Sequence, residues 1–148
     1  RGIQALIRDL NRLYRSMVSL HGSEFTQDGF EWLDCHDAAR SVVAYLRCSN
    51  GNNPVLVVLN FSAVARSGYR VGVPLPGFYQ EILNSDARIY GGGSDTVTGE
   101  LQADSLPHLG YSYSLVLDLP PLAGLILACS GKSHAKDRDD LLPVLGLA

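Results

Sequence analysis

Val55-Leu56-Val57-Val58-Leu59-Asn60-Phe61 is almost continuously apolar. A strand with one face in water alternates apolar and polar residues, so a run this uniform marks a strand covered on both faces, at the centre of a sheet. Asn50-Gly51-Asn52-Asn53 immediately precedes it and reads as a hairpin turn. That turn ties the central strand to the β-rich stretch 41–48. Downstream, Tyr69, Val71 and Val73 alternate with Arg70 and Gly72, and residues 78–83 form a further strand bounded by Pro76-Gly77 and Asn84-Ser85-Asp86. Tyr113, Leu115, Leu117 and Leu119 alternate with Ser112, Ser114 and Asp118. Pro120-Pro121 then breaks the run before a last buried strand over 123–129. Upstream, Phe30 and Trp32 share one strand face, with Glu31 and Leu33 on the other. About seven or eight short strands separated by turns predict an antiparallel sandwich.

The start of the chain follows a different period. Ile3, Leu6, Ile7, Leu10, Leu13, Tyr14 and Met17 trace one face of a helix, with Arg8, Asp9, Arg12, Arg15 and Ser16 on the other side. His21-Gly22-Ser23 stops it, Gly22 serving as cap. The expected division is a helix over 1–22, a β-sandwich over 23–130 and a flexible tail over 131–148, which is charged and then apolar with Pro143 inside. The chain opens on Arg1, inside an amphipathic helix, which suggests a piece of something longer.

The totals exclude several classes. A chain of 148 residues is one domain by size and long enough to bury a core. A net charge of −3 leaves no basic footprint for nucleic acid. No apolar run approaches membrane-spanning length, and charges at Arg1, Arg8 and Asp9 do not read as a signal peptide. Cys35, Cys48 and Cys129 are odd in number and widely spaced, so free thiols in a reducing, cytoplasmic compartment are expected rather than disulfides or a zinc site.

Few motifs carry chemistry. Asn84-Ser85-Asp86 followed by Tyr90-Gly91-Gly92-Gly93 lacks the lysine and helix of a phosphate loop and the acidic spacing of a calcium loop. It reads as an Asx-type turn and a flexible glycine loop that continues towards Pro107-His108. Cys35-His36-Asp37 reads as a polar turn, because neighbouring strand residues point to opposite faces and a Cys-His nucleophile needs convergence. A glycosidase mechanism needs two facing carboxyl groups. Glu31, Asp34, Glu81, Asp86, Glu100, Asp104 and Asp118 read instead as solvated surface charges, so no catalytic residue, metal or cofactor is assigned. Exposed aromatic rings can stack on the C–H faces of sugars. Trp32, Tyr79, Tyr90 and Tyr111 are the candidates for such contacts.

Phe30-Glu31-Trp32-Leu33-Asp34, the run 56–61, Tyr69-Arg70-Val71-Gly72-Val73-Pro74, Glu81-Ile82-Leu83-Asn84-Ser85-Asp86 and Leu119-Pro120-Pro121-Leu122 form an ordered series. That series resembles the C-terminal β-domain of bacterial 1,4-α-glucan (glycogen) branching enzymes, members of the α-amylase superfamily. Arg8-Asp9-Leu10-Asn11-Arg12-Leu13-Tyr14-Arg15 resembles the helix that ends their (β/α)₈ barrel. Ser62-Ala63-Val64 departs from it, standing where the family usually has a threonine-proline pair.

The resemblance implies a parent enzyme that cuts an α-1,4-glucan and transfers the piece to a 6-hydroxyl, making an α-1,6 branch. It implies that the catalytic aspartate and glutamate belong to barrel strands upstream of Arg1, so that the present chain alone is inactive. The implied partners are the catalytic barrel of the same polypeptide and α-glucan, with self-association through the helix face once the barrel is absent. Two alternatives remain open: a free-standing carbohydrate-binding β-sandwich, and the C-terminal domain of another α-amylase-superfamily enzyme, debranching or trehalose-releasing. The 69–74 and 81–86 motifs favour branching over the latter.

Overall fold

The computed structural model of the chain describes residues 1–50, 52–95 and 99–130. The expected tail over 131–148 therefore lies outside the described residues. The elements run α1 (Gly2–Ser16), α2 (Val18–His21), β1 (Phe30–Asp34), β2 (Val42–Arg47), β3 (Val55–Asn60), β4 (Arg66–Val73), β5 (Phe78–Asn84), β6 (Glu100–Gln102), β7 (Tyr113–Leu119) and β8 (Ala123–Cys129). Short 3₁₀ turns occupy Gln27–Gly29 and Arg88–Tyr90.

Two antiparallel layers result. One is a six-stranded sheet in the order β1-β2-β3-β8-β5-β6, and the other is the pair β4-β7. The apolar run at 55–61 is central as its composition requires: β3 pairs with β2 on one side and β8 on the other. Its two faces go to different places. Leu56 and Val58 join Val42, Ala44, Leu46, Tyr79, Leu125 and Leu127 against Tyr69, Val71, Val73, Leu115, Leu117 and Leu119 of the smaller sheet. Val55 and Val57 lie opposite Ala128 and Ile126, on the face that carries the helices.

The helical segment differs from the single helix expected. Met17 is extended (φ −105°, ψ 106°), which splits it into α1 and α2. Gly22 closes α2, donating its N–H to the Val18 carbonyl at 2.6 Å, but in the right-handed conformation. Glycine is needed there for space, since a Cβ would sit 2.5 Å from Ser49 Oγ and 2.8 Å from Val18 Cγ1.

The apolar face of α1 resolves into two stripes about 70° apart at 100° per residue. Leu6, Leu13 and Met17, with Leu20 from α2, pack on Ile82, Leu83, Ile126 and Ala128. Ile3, Ile7, Leu10 and Tyr14 remain exposed. Asp9, expected on the solvent side, is buried beside the sheet-facing stripe. Its carboxylate accepts the Tyr90 hydroxyl at 3.0 Å and the Arg8 Nε–H at 3.2 Å, with Arg12 at 3.7 Å.

Three further expectations are corrected. The stretch after Gly91 is not one long loop, because β6 pairs with β5 within it. The glycine loop is pinned by Asp86, whose carboxylate accepts the Gly93 N–H at 3.1 Å and the Ser94 hydroxyl at 2.7 Å. Ser114 alternates outward in sequence yet is fully buried, donating to the Leu106 carbonyl and accepting from Arg70, both at 2.7 Å.

Asn60 ties one end of the sandwich together. Its buried amide donates to the carbonyls of Val64 (3.0 Å) and Pro120 (2.9 Å) and accepts the Ser62 N–H (3.0 Å). Replacing it strands three polar groups away from water, each costing roughly 1–3 kcal/mol. Asn60→Ala is expected to lower unfolding free energy by about 3 kcal/mol, read as a shift in urea midpoint at an unchanged slope.

Candidate functional site

β1 ends the six-stranded sheet, so one of its faces looks outward. Period-2 alternation puts Phe30 and Trp32 on that face, and the register sets Tyr45 of β2 directly opposite Trp32. The three rings meet. Phe30 and Trp32 are edge-to-face at 4.8 Å, Phe30 and Tyr45 are stacked at 5.1 Å, and Trp32 and Tyr45 are edge-to-face at 5.9 Å. Each contact falls within the range favoured by ring quadrupoles, so the rings brace one another. Trp32 is nevertheless 52% exposed. A braced, wet indole offers a flat apolar surface with little entropy left to lose, which suits the C–H face of a sugar. Burial pushes the Tyr45 phenol above its ordinary value, so the hydroxyl stays protonated and able to donate.

The other predicted aromatics are placed differently. Tyr79 is fully buried in the sandwich core, its hydroxyl donating to the Leu75 carbonyl at 3.0 Å. No face of that ring is open to a ligand, so the structure removes it from the candidates. Tyr79 faces the core and Ile82, three residues on, faces the helix by ordinary alternation, while a bulge between Glu81 and Leu83 turns Leu83 to the helix face as well. Tyr90 is half-buried and bonded to Asp9. Burial, and then that bond, push its phenol up to about 12. Tyr111 lies near the platform, its hydroxyl donating to Glu31 Oε1 at 2.6 Å and lying 3.3 Å from the Trp32 carbonyl oxygen. Burial and the Glu31 carboxylate raise it to about 12. Phe30 and Tyr45 are the residues that sequence reasoning passed over. Phe30 was already placed on the Trp32 face, but Tyr45 joins only through the cross-strand register.

A polar groove of about 690 Å³ lies beyond the end of β1, between the loop that follows it and β4, lined by Asp34, His36, Asp37, Arg40, Arg66 and Tyr69 among others. The Tyr69 hydroxyl lies 2.8 Å from Asp37 and 3.2 Å from Asp34. Burial, followed by these two carboxylates, pushes the phenol far up. Partial burial pushes Asp37 up. The Tyr69 hydroxyl and the Arg40 N–H and guanidinium outweigh it and hold the carboxyl below its ordinary value.

The Cys35 thiol does reach His36, Sγ to Nδ1 at 3.5 Å, because both lie beyond the end of β1 where strand alternation no longer applies. Asp37 is turned to Tyr69 and Arg40, so it does not orient the imidazole as a nucleophile's third partner would. Of the carboxylates expected at the surface, Glu81 is buried. Glu31, Asp34, Asp86, Asp104 and Asp118 each accept a structural hydrogen bond. Among the described residues no group of three His, Cys, Asp or Glu is arranged for a metal ion.

Residues 32–130 match the family described as the alpha-amylase C-terminal all-beta domain. The chain belongs to that family. Among similar proteins, it is 51% identical over 126 residues to the 1,4-alpha-glucan branching enzyme GlgB of Methylobacillus flagellatus, covering 85% of this chain. It is 49% identical over 126 residues to the protein of that name from Nitrosococcus oceani, again covering 85% of this chain. With that of Methylococcus capsulatus it shares 46% over 137 residues, or 93% of this chain. The chain spans about 17% of the length of the first two and 18% of the third.

Tyr69→Phe removes the hydroxyl and is expected to cost about 1–2 kcal/mol at pH 7. A lowered folded value for Asp37 stabilises the fold above the ordinary carboxylate value of 3.8. That contribution disappears as pH falls through the folded value. The gap between wild type and Tyr69→Phe in urea unfolding should therefore be larger at pH 7 than at pH 3.

Proposed function

We propose that this chain is the non-catalytic C-terminal β-domain of a cytoplasmic 1,4-alpha-glucan branching enzyme. The parent transfers an α-1,4-glucan segment to a 6-hydroxyl through residues of its catalytic barrel. The domain has two tasks in that reading: it seats the barrel, and it holds glucan at a distance from the reacting bond. The observation that carries the second task is the braced ring trio of Phe30, Trp32 and Tyr45 on an outward sheet face. Phe30 and Trp32 remain exposed there, with Tyr45 half-buried beside them.

The first task is supported by the exposed stripe Ile3, Ile7, Leu10 and Tyr14 on α1. This helix already packs one stripe on the sandwich, so the second suits the rest of a polypeptide that extends well beyond the residues seen here. Residues 1–22 are then the close of the barrel and 23–130 the β-domain proper. Without a barrel the same stripe pairs two copies of the chain. In sedimentation runs the wild-type chain is expected to form dimers as concentration rises, and Ile7→Glu to remain monomeric. A wild type that stays monomeric at millimolar concentration counts against the docking role.

Glucan holding is tested by native electrophoresis in glycogen-containing gels. Trp32→Ala is expected to weaken retardation about 5- to 30-fold, as loss of one stacking platform of 1–2 kcal/mol implies. Its unfolding free energy should fall by about 1–3 kcal/mol, the loss of two aromatic contacts, with the fold retained at an unchanged urea slope. Wild type that migrates freely leaves the barrel-support role alone standing. The reading as a free-standing carbohydrate module predicts retardation without dimers, and no effect of Ile7→Glu.

A further inference from the structure

Trp32 sits where its strand is weakly held. Among the described residues β1 pairs only with β2, and its register shifts between Trp32 and Asp34. Edge strands with a bulge are where pairing gives out. The backbone around the exposed indole therefore depends on something outside the sheet.

Tyr111 supplies it from the opposite layer. Residues His108 and Tyr111 close a tight turn with reciprocal backbone bonds of 2.9 and 3.0 Å. Leu109 (φ 48°) and Gly110 (φ 87°) occupy its centre, both in the left-handed region that this turn type demands. The Tyr111 ring lies along β4 over Gly72, where a Cβ would come 3.0 Å from Tyr111 Cδ2. From that seat the hydroxyl crosses to β1, donating to Glu31 Oε1 at 2.6 Å, with the Trp32 carbonyl oxygen 3.3 Å away. It thus holds β1 through the Glu31 side chain, one residue before Trp32.

We propose that Tyr111 is a positioning residue for the Trp32 platform, fixing the edge strand so that the indole is presented in one orientation. Glu31 is its anchor on β1, and Gly72 leaves room for the His108 carbonyl and the Tyr111 ring to approach β4. This inference rests on the reading of Trp32 as a glucan contact. The positioning itself concerns the strand and can be measured with or without a sugar.

Trp32 is the only tryptophan in the chain, so intrinsic fluorescence reports this position alone. The test uses Tyr111→Phe, which keeps the ring on Gly72 and deletes the hydroxyl, with Glu31→Gln as the variant that retains an acceptor. Each is titrated with maltoheptaose, and acrylamide quenching and fluorescence anisotropy are recorded without sugar. Tyr111→Phe is expected to raise the maltoheptaose Kd about 3- to 10-fold, because only part of the free energy of one charge-assisted hydrogen bond passes to the binding surface. It should also raise indole quenching and lower anisotropy, with the unfolding free energy lowered by no more than about 1 kcal/mol at an unchanged urea slope. Glu31→Gln should keep both close to wild type. Adding Tyr111→Phe to Trp32→Ala should weaken binding no further than Trp32→Ala alone. If Trp32→Ala binds as wild type, the glucan reading fails while quenching and anisotropy still decide the positioning. If Tyr111→Phe leaves quenching and anisotropy unchanged, the positioning role is overturned, whatever the sugar does.

Discussion

Everything in this domain follows from the need to cover β3 and its neighbour β8 on both faces. An apolar strand such as Val55–Asn60 cannot leave either side to water. The smaller sheet β4-β7 covers one side and supplies Val71, Val73, Leu115 and Leu117 to the core. It has only two strands, against six in the sheet it faces. The other side is closed by α1 and α2, through Leu13, Met17 and Leu20. The helices are therefore part of the domain's own packing, and Leu13 is as buried as Leu46 and Leu115 of the sandwich.

That arrangement decides which surfaces remain for function. Covering the sheet with a helix uses one stripe of α1 and leaves an adjacent stripe, Ile3, Ile7, Leu10 and Tyr14, exposed. The buried Asp9 with the Tyr90 hydroxyl holds the helix to the loop after β5, so the two stripes keep a fixed orientation. At the far edge of the sheet α2 meets the end of β2, where the Arg47 guanidinium donates to the Leu20 carbonyl at 2.9 Å, and Trp32 on β1 beyond it is half exposed. There the outward residues can be aromatic and exposed, and the ring trio of Phe30, Trp32 and Tyr45 occupies that edge. The sugar-facing reading and the barrel-facing reading thus belong to opposite ends of one sheet.

Long periodic segments were legible in sequence. The alternation Tyr113 to Leu119 and the apolar run 123–129 became β7 and β8 at the residues read. The ordered motif series pointed to the family that the chain belongs to. What escaped was set by events that leave no period. The three residues of β6 are too few to alternate. The break at Met17 arises because α2 must turn onto the sheet, where Ser19 donates to the Asn53 carbonyl at 2.6 Å. Tyr79 looked like a surface ring, but β5 is covered on both faces, and its hydroxyl finds a partner inside at the Leu75 carbonyl. Trp32 was legible as an exposed aromatic, but its partner Tyr45 required the register of two strands. Asp9 and Ser114 were polar residues in polar positions of their patterns, and only tertiary packing buried them beside Tyr90 and Arg70.

The most direct measurement is amide chemical-shift mapping by NMR on the isotopically labelled chain during titration with maltoheptaose. The account predicts shifts concentrated in Phe30–Asp34 and Val42–Arg47, with smaller ones at Tyr111, and quiet amides along α1 and the core strands β3 and β8. Shifts centred instead on the Tyr69 groove or the Tyr90 loop, with β1 and β2 unmoved, would contradict it.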